Sequence, residues 1–180
     1  MKATSLKLEG AKLLTPIMHG DSRGYFMESY NEHMLNEFGI KHSFVQDNQS
    51  LSVEHGVLRG LHYQLHPKAQ AKLVRVIAGA IYDVIVDIRP DSPTFGQWQS
   101  FILSQHNQRQ LYIPHGFAHG FCTLVPHTQV LYKVDQYYSP EYDRGIRWND
   151  TELNIDWPVD DPILSDKDQK HPFFKQAEFN

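Results

Sequence analysis

Hydrophobic and polar residues alternate over short stretches through most of the chain, and this period of two predicts β-strands. Turn residues such as Gly79, Asn107 and Pro114 separate the stretches. Eight main strands are predicted, at 42–53, 57–63, 71–78, 80–88, 98–103, 110–113, 117–125 and 129–137. Strands of this number and spacing are typical of a jelly-roll sandwich or barrel.

A helical period is present in only one segment, residues 31–38. Asn31 can cap the first turn, Glu32 favours it, and Gly39 is suited to end the helix. The sequence therefore predicts one short helix beside a β-sheet structure.

Both ends of the chain differ from the central strands. Residues from about 1 to 20 predict an extended N-terminal arm, and 25–30 predict a strand after it. From about 140 to 180 the chain is rich in Asp and Pro, which favours a wrapping tail with short helical turns. We expect these parts to form a single domain over residues 1–180.

Composition excludes several classes of protein. With 180 residues, 41% of them hydrophobic, the chain can bury one core, and a net charge of -4 does not favour a nucleic-acid partner. Cys122 is the only cysteine, so no internal disulfide is possible. No run approaches the roughly 20 apolar residues of a membrane span, and no signal peptide is visible after Met1. We therefore expect a cytoplasmic protein without a membrane or nucleic-acid partner.

Three polar side chains interrupt apolar runs that are predicted to be strands. Arg59, His62 and Lys72 stand among Val, Leu and Ile, where burial requires that they be satisfied or used. A bulge at Gly60 would let both Arg59 and His62 point inward. The alternative, a rim of solvated basic residues, stays open at this point.

A fourth residue, Tyr132, lies on the predicted buried face of its strand. It is either a core aromatic or a phenol that serves a site. Together with His62 as a base and Lys72 as an oxyanion stabiliser, Tyr132 would complete the groups needed to remove a proton next to a carbonyl and replace it on the other face. This combination predicts epimerisation without a cofactor.

Two segments are similar to the paired motifs of the cupin superfamily. They are Gly60-x-His62-x-Gln64 and Pro114-x-Gly116-x-x-His119. A metal-binding cupin would carry a second histidine near Gln64 and a carboxylate near Lys72, and an ammonium group repels a cation. We therefore expect no metal at this position, which argues against a metal-dependent oxygenase.

Five ordered motifs make the resemblance more specific. They are Asp21-x-Arg23-Gly24-x-Phe26-x-Glu28, Gln46-Asp47-Asn48-x-Ser50, Val57 to Gln64, Pro114 to Phe121, and Asp143-Arg144-Gly145-Ile146. From about residue 12 to 172, the chain resembles the dTDP-4-dehydrorhamnose 3,5-epimerase family. The resemblance implies a mostly β fold, a cupin-type jelly-roll β-sandwich or barrel with a few short helices. It also implies rhamnose supply for a surface polysaccharide such as O-antigen.

The resemblance implies a catalytic role for four residues. His62 matches the general base, and Asp168, rather than Asp166, matches the carboxylate that orients it. Tyr132 matches the proton donor, and Lys72 matches the residue near the C4 carbonyl oxygen.

Further positions match substrate contacts in the family. Arg23 and Arg59 match diphosphate contacts, and the others are Phe26, Glu28, Gln46, Asn48, His119, Tyr138, Asp143 and Lys167. Because the family's N-terminal arm crosses to a second subunit, a homodimer is expected. A mono-epimerase, a ketoisomerase on a related sugar and a non-catalytic nucleotide-sugar binder remain alternatives.

The remaining residues with reactive side chains are assigned structural positions. Cys122 is expected to be a buried thiol without a catalytic role. The histidines expected at the surface are His42, His55, His66, His106, His127 and His171.

Overall fold

The computed structural model describes residues 1–179, which form two antiparallel β-sheets. The six-stranded sheet has the order β1 (Lys2–Ser5), β2 (Lys12–Thr15), β10 (Gln110–Ile113), β7 (Lys72–Ala78), β12 (Thr128–Val134) and β5 (Gln46–Ser52). The five-stranded sheet has the order β13 (Asp143–Gly145), β6 (Leu58–Gln64), β11 (Phe117–Thr123), β8 (Ala80–Asp87) and β9 (Trp98–Ser104). A separate hairpin joins β3 (His19–Asp21) and β4 (Gly24–Phe26). The mostly β, cupin-type sandwich predicted from the sequence is confirmed.

The main core lies between the two sheets. Val74 and Val76 of β7 pack in one cluster with Ile81 and Ile85 of β8 and with Phe121 of β11. The alternation of these residues with polar or outward-facing ones follows the period of a strand. Removal of this apolar surface from water is the main term that holds the sheets together, at about 25 cal/mol per Å².

The C-terminal tail covers the outer face of the five-stranded sheet. Val84 and Val86, which alternate with the core residues of β8, pack against Ile146, Leu153 and Phe174 of the tail. The tail includes two short 3₁₀ helices, at Asp168–Lys170 and Phe174–Gln176. The predicted wrapping tail with helical turns is confirmed, and it explains why β11 is buried along its whole length.

The only α-helix in residues 1–179 is α1 (Glu32–Glu37), where the sequence predicts one. Asn31 Oδ1 accepts a hydrogen bond from the Met34 N–H at 3.2 Å, and Gly39 follows with φ of +79°. Leu35 is buried against the outer face of the six-stranded sheet. Within the described part of the chain, no helix has the length and apolar character needed to cross a membrane.

The N-terminal region differs from the prediction. Instead of a free extended arm, β1 and β2 form a hairpin, and β2 pairs with β10 at the edge of the six-stranded sheet. The apolar side chains of Leu8, Ala11 and Leu14 are buried and hold this hairpin in place. The strand expected at 25–30 is also shorter, because it ends at Phe26 in an exposed hairpin.

A bulge in β6 brings Arg59 and His62 to the same side of the strand. Opposite them on β11, His62 pairs with His119 and Arg59 pairs with Phe121, so β6 has one extra residue. Gly60 occupies the bulge with φ of +140°, and a Cβ there would lie 2.5 Å from the Gly120 Cα. The predicted bulge at Gly60 is confirmed, and only glycine fits it.

The bulge leads to the first testable prediction. Substitution Gly60→Ala combines an unfavourable φ with a backbone clash, so we expect it to lower the free energy of unfolding by about 3 kcal/mol. Gly39→Ala is the matched control, because Gly39 also has a positive φ but no atom within 4 Å of an added Cβ. Gly39→Ala should lower the free energy of unfolding by about 1 kcal/mol. Urea denaturation measures both variants. Equal losses for the two variants would contradict this account.

Candidate active site

A cavity of about 290 Å³ lies between the two sheets. Its walls come from β6 and β11 on one side, and from β5, β7 and β12 on the other. Nine of the fourteen predicted site residues line it: Arg59, His62, Lys72, His119, Tyr132, Tyr138, Asp143, Lys167 and Asp168. Residues far apart in the sequence therefore meet in one pocket.

His62 and Asp168 form a direct contact between β6 and the tail. His62 Nε2 lies 2.5 Å from Asp168 Oδ1, and Ser165 Oγ donates to the other carboxylate oxygen at 2.8 Å. Burial alone would raise the pKa of Asp168, but the nearby His171 ring and the hydrogen bonds from His62 and Ser165 hold that pKa well below its usual value. The carboxylate is therefore ionised and orients the imidazole with Nε2–H towards it.

The His62 imidazole is neutral at physiological pH. Burial lowers its pKa below 6.5, and the charge of Lys72 acts in the same direction, although Asp168 opposes both. Because Nε2 donates to Asp168, Nδ1 carries the lone pair. One third of the side chain is exposed, which leaves the ring accessible to a ligand. His62 can therefore act as a base.

Lys72 begins β7 and reaches across to the opposite sheet. Its Nζ donates to the backbone carbonyl of His62 at 3.3 Å, and the residue is 7% exposed. Burial lowers the pKa of Lys72 to about 8, against the charges of Asp143 and Asp83. The ammonium is thus still protonated at neutral pH but is largely removed from water, so its field on a developing negative charge is weakly screened.

Tyr132 lies on β12, beside Val74 of β7 and Asn48 of β5. It packs at the edge of the main core and also lines the cavity. Burial raises its pKa above 10. The phenol is therefore protonated at neutral pH and can donate its proton.

His119 belongs to a second histidine–aspartate pair, which is fully internal. Its Nε2 lies 2.6 Å from Asp83 Oδ1, and the side chains are 7% and 0% exposed. The pair joins β11 to β8, and His119 forms part of the cavity wall. Sequence reasoning missed Asp83, although a carboxylate between the apolar residues of β8 was a usable signal.

A polar cluster formed by Tyr138, Asp143 and Lys167 lies at the cavity mouth. The hydroxyl of Tyr138 donates to Asp143 Oδ2 at 2.9 Å, and Lys167 forms a salt bridge with the same oxygen. The hydrogen bond to Asp143 and partial burial raise the pKa of Tyr138. The sequence placed these three residues in the site without predicting their mutual contacts.

Two predicted nucleoside contacts lie on β5, just beyond the lining residues. Gln46 Nε2 donates to Asn48 Oδ1 at 2.8 Å, and both side chains share the face of Ser50, which lines the cavity. Gln46 also accepts a hydrogen bond from the Tyr138 N–H at 3.4 Å. Both are therefore adjacent to the pocket rather than inside it.

The remaining three predicted contacts are not brought to this cavity. Arg23 and Phe26 lie on the exposed β3–β4 hairpin, where Arg23 pairs with Asp21 at 2.5 Å. Glu28 follows the hairpin and accepts a hydrogen bond from Asn31 at 3.2 Å. None of the three lines the cavity of its own chain.

His171 was predicted to be a surface residue, and this prediction is wrong. It is 9% exposed, its ring is 5.5 Å from that of His62, and its Nε2 is 3.5 Å from Asp168 Oδ1. The ring fills the space next to Gly145, where a Cβ would collide with it. The predicted pairing of Asp168 with His62 brings the tail to β6, but the sequence did not show that His171, three residues further on, is buried there. Cys122 is buried, as predicted.

Gln64 occupies the position where a metal-binding cupin would carry a second histidine. Its side chain donates to the Lys68 carbonyl at 2.6 Å and accepts from the Ser139 N–H at 2.7 Å. The amide thus fixes the segment that carries Tyr138, which is a structural function. This role was not predicted.

Comparison with known proteins agrees with the geometry. The sequence profile of the dTDP-4-dehydrorhamnose 3,5-epimerase family matches residues 5–176. The chain belongs to this family. A member from Pseudomonas aeruginosa is 51% identical over 180 residues, which covers 99% of this chain and 98% of the relative.

Solved structures of the family have the same fold. The enzyme from Bacillus anthracis, solved with TDP and PPi bound, is 61% identical and superposes with a TM-score of 0.94 over 96% of this chain and 98% of its own. The Legionella pneumophila enzyme, in complex with dTDP-4-keto-L-rhamnose, is 46% identical with a TM-score of 0.91 over 96% of this chain and 92% of its own. Family membership therefore rests on sequence and on structure together.

The contact between His62 and Asp168 gives a prediction with an internal control. Asp168→Asn removes the charge that orients and supports the imidazole, so we expect kcat to fall by about 10²–10⁴-fold. Asp166→Asn, two residues away and exposed, should change kcat by less than about twofold. Steady-state kinetics checks both, with thermal unfolding as a test of folding. Equal kcat values for the two variants would contradict the assignment.

The pKa shifts predict a bell-shaped dependence of kcat/KM on pH. Activity should fall on the acid side below pH 6.5, where His62 becomes protonated, and on the alkaline side near pH 8, where Lys72 loses its charge. In Lys72→Arg the guanidinium stays protonated, so the alkaline limb should move upward even if the rate is lower. Lys133→Arg is the control, because Lys133 forms a surface ion pair with Asp47 outside the cavity. An alkaline limb that does not move in Lys72→Arg would refute the assignment.

Proposed function

We propose that the chain catalyses epimerisation of dTDP-4-dehydro-6-deoxy-D-glucose at C3 and C5, without a cofactor, to give dTDP-4-dehydro-L-rhamnose. The observation that carries this proposal is the placement of three groups around one cavity. His62 comes from the five-stranded sheet, whereas Lys72 and Tyr132 come from the six-stranded sheet. A base and an acid on facing walls are what inversion at carbon requires.

The proposed reaction begins when Nδ1 of neutral His62 takes the proton from a carbon next to the C4 ketone. The electrons of the C–H bond form an enolate, and the ammonium of Lys72 stabilises its oxygen. Tyr132 then donates its proton to the opposite face of the carbon. Exchange with water returns His62 and Tyr132 to their starting forms. Because C3 and C5 flank the same carbonyl, one cation serves both centres.

The nucleotide part of the substrate would occupy the outer half of the pocket. Arg59 lies at the rim, where its guanidinium has only long contacts, 3.4 Å to Ser52 Oγ and to the Leu51 carbonyl, and is available for diphosphate. Tyr138 is 55% exposed and can stack on a base. Gln46 and Asn48 then face the nucleoside from β5.

We further propose a homodimer in which the hairpin of each chain completes the partner's site. Phe26 is 70% exposed, and Ile17 and Met18 beside it are about half exposed, which makes an apolar surface on an otherwise polar edge. The Arg23 side chain is 88% exposed and does not line the cavity of its own chain. In this arrangement Arg23, Phe26 and Glu28 contact the substrate held by the other chain. We place the dimer in the cytoplasm, where it would supply rhamnose for surface polysaccharide such as O-antigen.

The separate roles of His62 as the base and Tyr132 as the acid can be tested with Tyr132→Phe. In heavy water His62 should still remove a proton and return deuterium to the same face, so the substrate becomes labelled. Without the phenol, protonation on the opposite face should fall by about 10²-fold or more. NMR of the sugar separates the two events. Tyr137→Phe, which is 63% exposed, is the control and should both label and invert. Inversion at the wild-type rate in Tyr132→Phe would refute its role.

The dimer proposal predicts complementation between two inactive variants. When Arg23→Ala and His62→Ala chains are co-expressed, half of the dimers contain one chain of each kind. In those dimers one site has an intact His62 and receives an intact Arg23 from the partner, so about one quarter of wild-type activity should return. If Arg23 acts within its own chain, the mixture stays as inactive as its components.

A further inference from the structure

A second cluster of histidine and aspartate side chains lies outside the cavity, at one end of the six-stranded sheet. His42 Nδ1 lies 2.6 Å from Asp135 Oδ2, and His115 Nε2 lies 2.8 Å from the same oxygen. The centroids of the two imidazole rings are 4.8 Å apart. One ligand atom from each of the three residues lies within 4.8 Å of the others. Two ring nitrogens and a carboxylate oxygen thus converge on one small volume.

The three side chains come from separate segments that the fold holds together. His42 lies between α1 and β5, His115 lies in the turn between β10 and β11, and Asp135 directly follows β12. The other oxygen of Asp135 accepts a hydrogen bond from the Ala71 N–H at 2.7 Å. That bond fixes the carboxylate and leaves Oδ2 to face both rings, as in metal sites whose ligands are oriented by outer hydrogen bonds.

We propose that His42, His115 and Asp135 form a binding site for a divalent transition-metal ion, with zinc as the first candidate. Two imidazoles and one carboxylate are a ligand set that zinc and other divalent first-row transition metals favour. An ion at about 2.0–2.1 Å from each ligand requires these atoms to lie roughly 3.3 Å apart, so each of the two nitrogen–oxygen distances would lengthen by about 0.5–0.7 Å. The His115 side chain is 44% exposed, which leaves the fourth position open to water.

A second group, His62, Asp168 and His171, has similar spacing but differs in charge. Lys72 Nζ lies 3.3 Å from the His62 carbonyl, and its positive charge disfavours a cation there. That group also belongs to the cavity already described. The cluster at the sheet end is therefore the better cation site, and it is independent of the proposed epimerisation.

A bound ion would cross-link the segment after α1 to the ends of β10 and β12. Through Asp135 and Ala71 it would also hold the first residue of β7, Lys72, which follows Ala71 directly. Since the folded chain presents all three ligands together and the unfolded chain does not, zinc should raise the temperature of unfolding.

The experiment uses the full-length protein after treatment with a chelator. Equilibrium dialysis against zinc chloride, followed by elemental analysis, gives the number of ions per chain, and calorimetric titration gives the affinity. The variants are His42→Ala, His106→Ala as an exposed histidine outside the cluster, and His62→Asn for the cavity group. Retained epimerase activity in His42→Ala and His106→Ala shows that both are folded.

We expect one zinc ion per wild-type chain, with binding weakened by at least about tenfold in His42→Ala and unchanged in His106→Ala and His62→Asn. The zinc-dependent rise in unfolding temperature should be lost in His42→Ala alone. Absence of stoichiometric zinc in the wild type would overturn the proposal. So would equal binding by His42→Ala and His106→Ala, or a loss of binding in His62→Asn only.

Discussion

The hydrogen bond between His62 and Asp168 connects the two parts of the chain on which the site depends. Asp168 stands in the C-terminal tail, which also covers the outer face of the five-stranded sheet through residues such as Ile146 and Phe174. His62 stands on the inner face of the same sheet. The contact at 2.5 Å therefore requires the tail to be docked. Burial lowers the pKa of His62, and Asp168, which the docked tail brings to the ring, opposes that shift. Docking of the tail is therefore what brings the orienting carboxylate to His62.

The site is polar within a molecule that is held together by apolar burial. Lys72 would be costly between two sheets, because removal of an ammonium from water is unfavourable. Burial lowers its pKa to about 8, while the charges of Asp143 and Asp83 keep it protonated at neutral pH. In the proposed reaction, the same desolvation would strengthen the effect of the Lys72 charge on an enolate. The bulge at Gly60 serves this arrangement by turning Arg59 and His62 to the same side.

Local patterns in the sequence were sufficient for the strands, the helix cap at Asn31 and the bulge at Gly60. They were also sufficient to single out His62, Lys72 and Tyr132, because polar groups in apolar strands are conspicuous. They could not show the burial of His171, which depends on how the tail folds back, or the pairing of His119 with Asp83 across two strands. The N-terminal hairpin was missed because its partner, β10, lies about a hundred residues away. Long-range pairing carries no local signal.

In the proposed reaction, one base, His62, serves both carbons that flank the ketone. The most direct test is NMR of dTDP-4-dehydro-6-deoxy-D-glucose incubated with the enzyme in heavy water, with His62→Ala measured beside the wild type. We expect deuterium at C3 and at C5 with the wild type, and at neither carbon with the variant. Label at only one carbon would show a mono-epimerase, and label at either carbon with His62→Ala would show that another residue is the base.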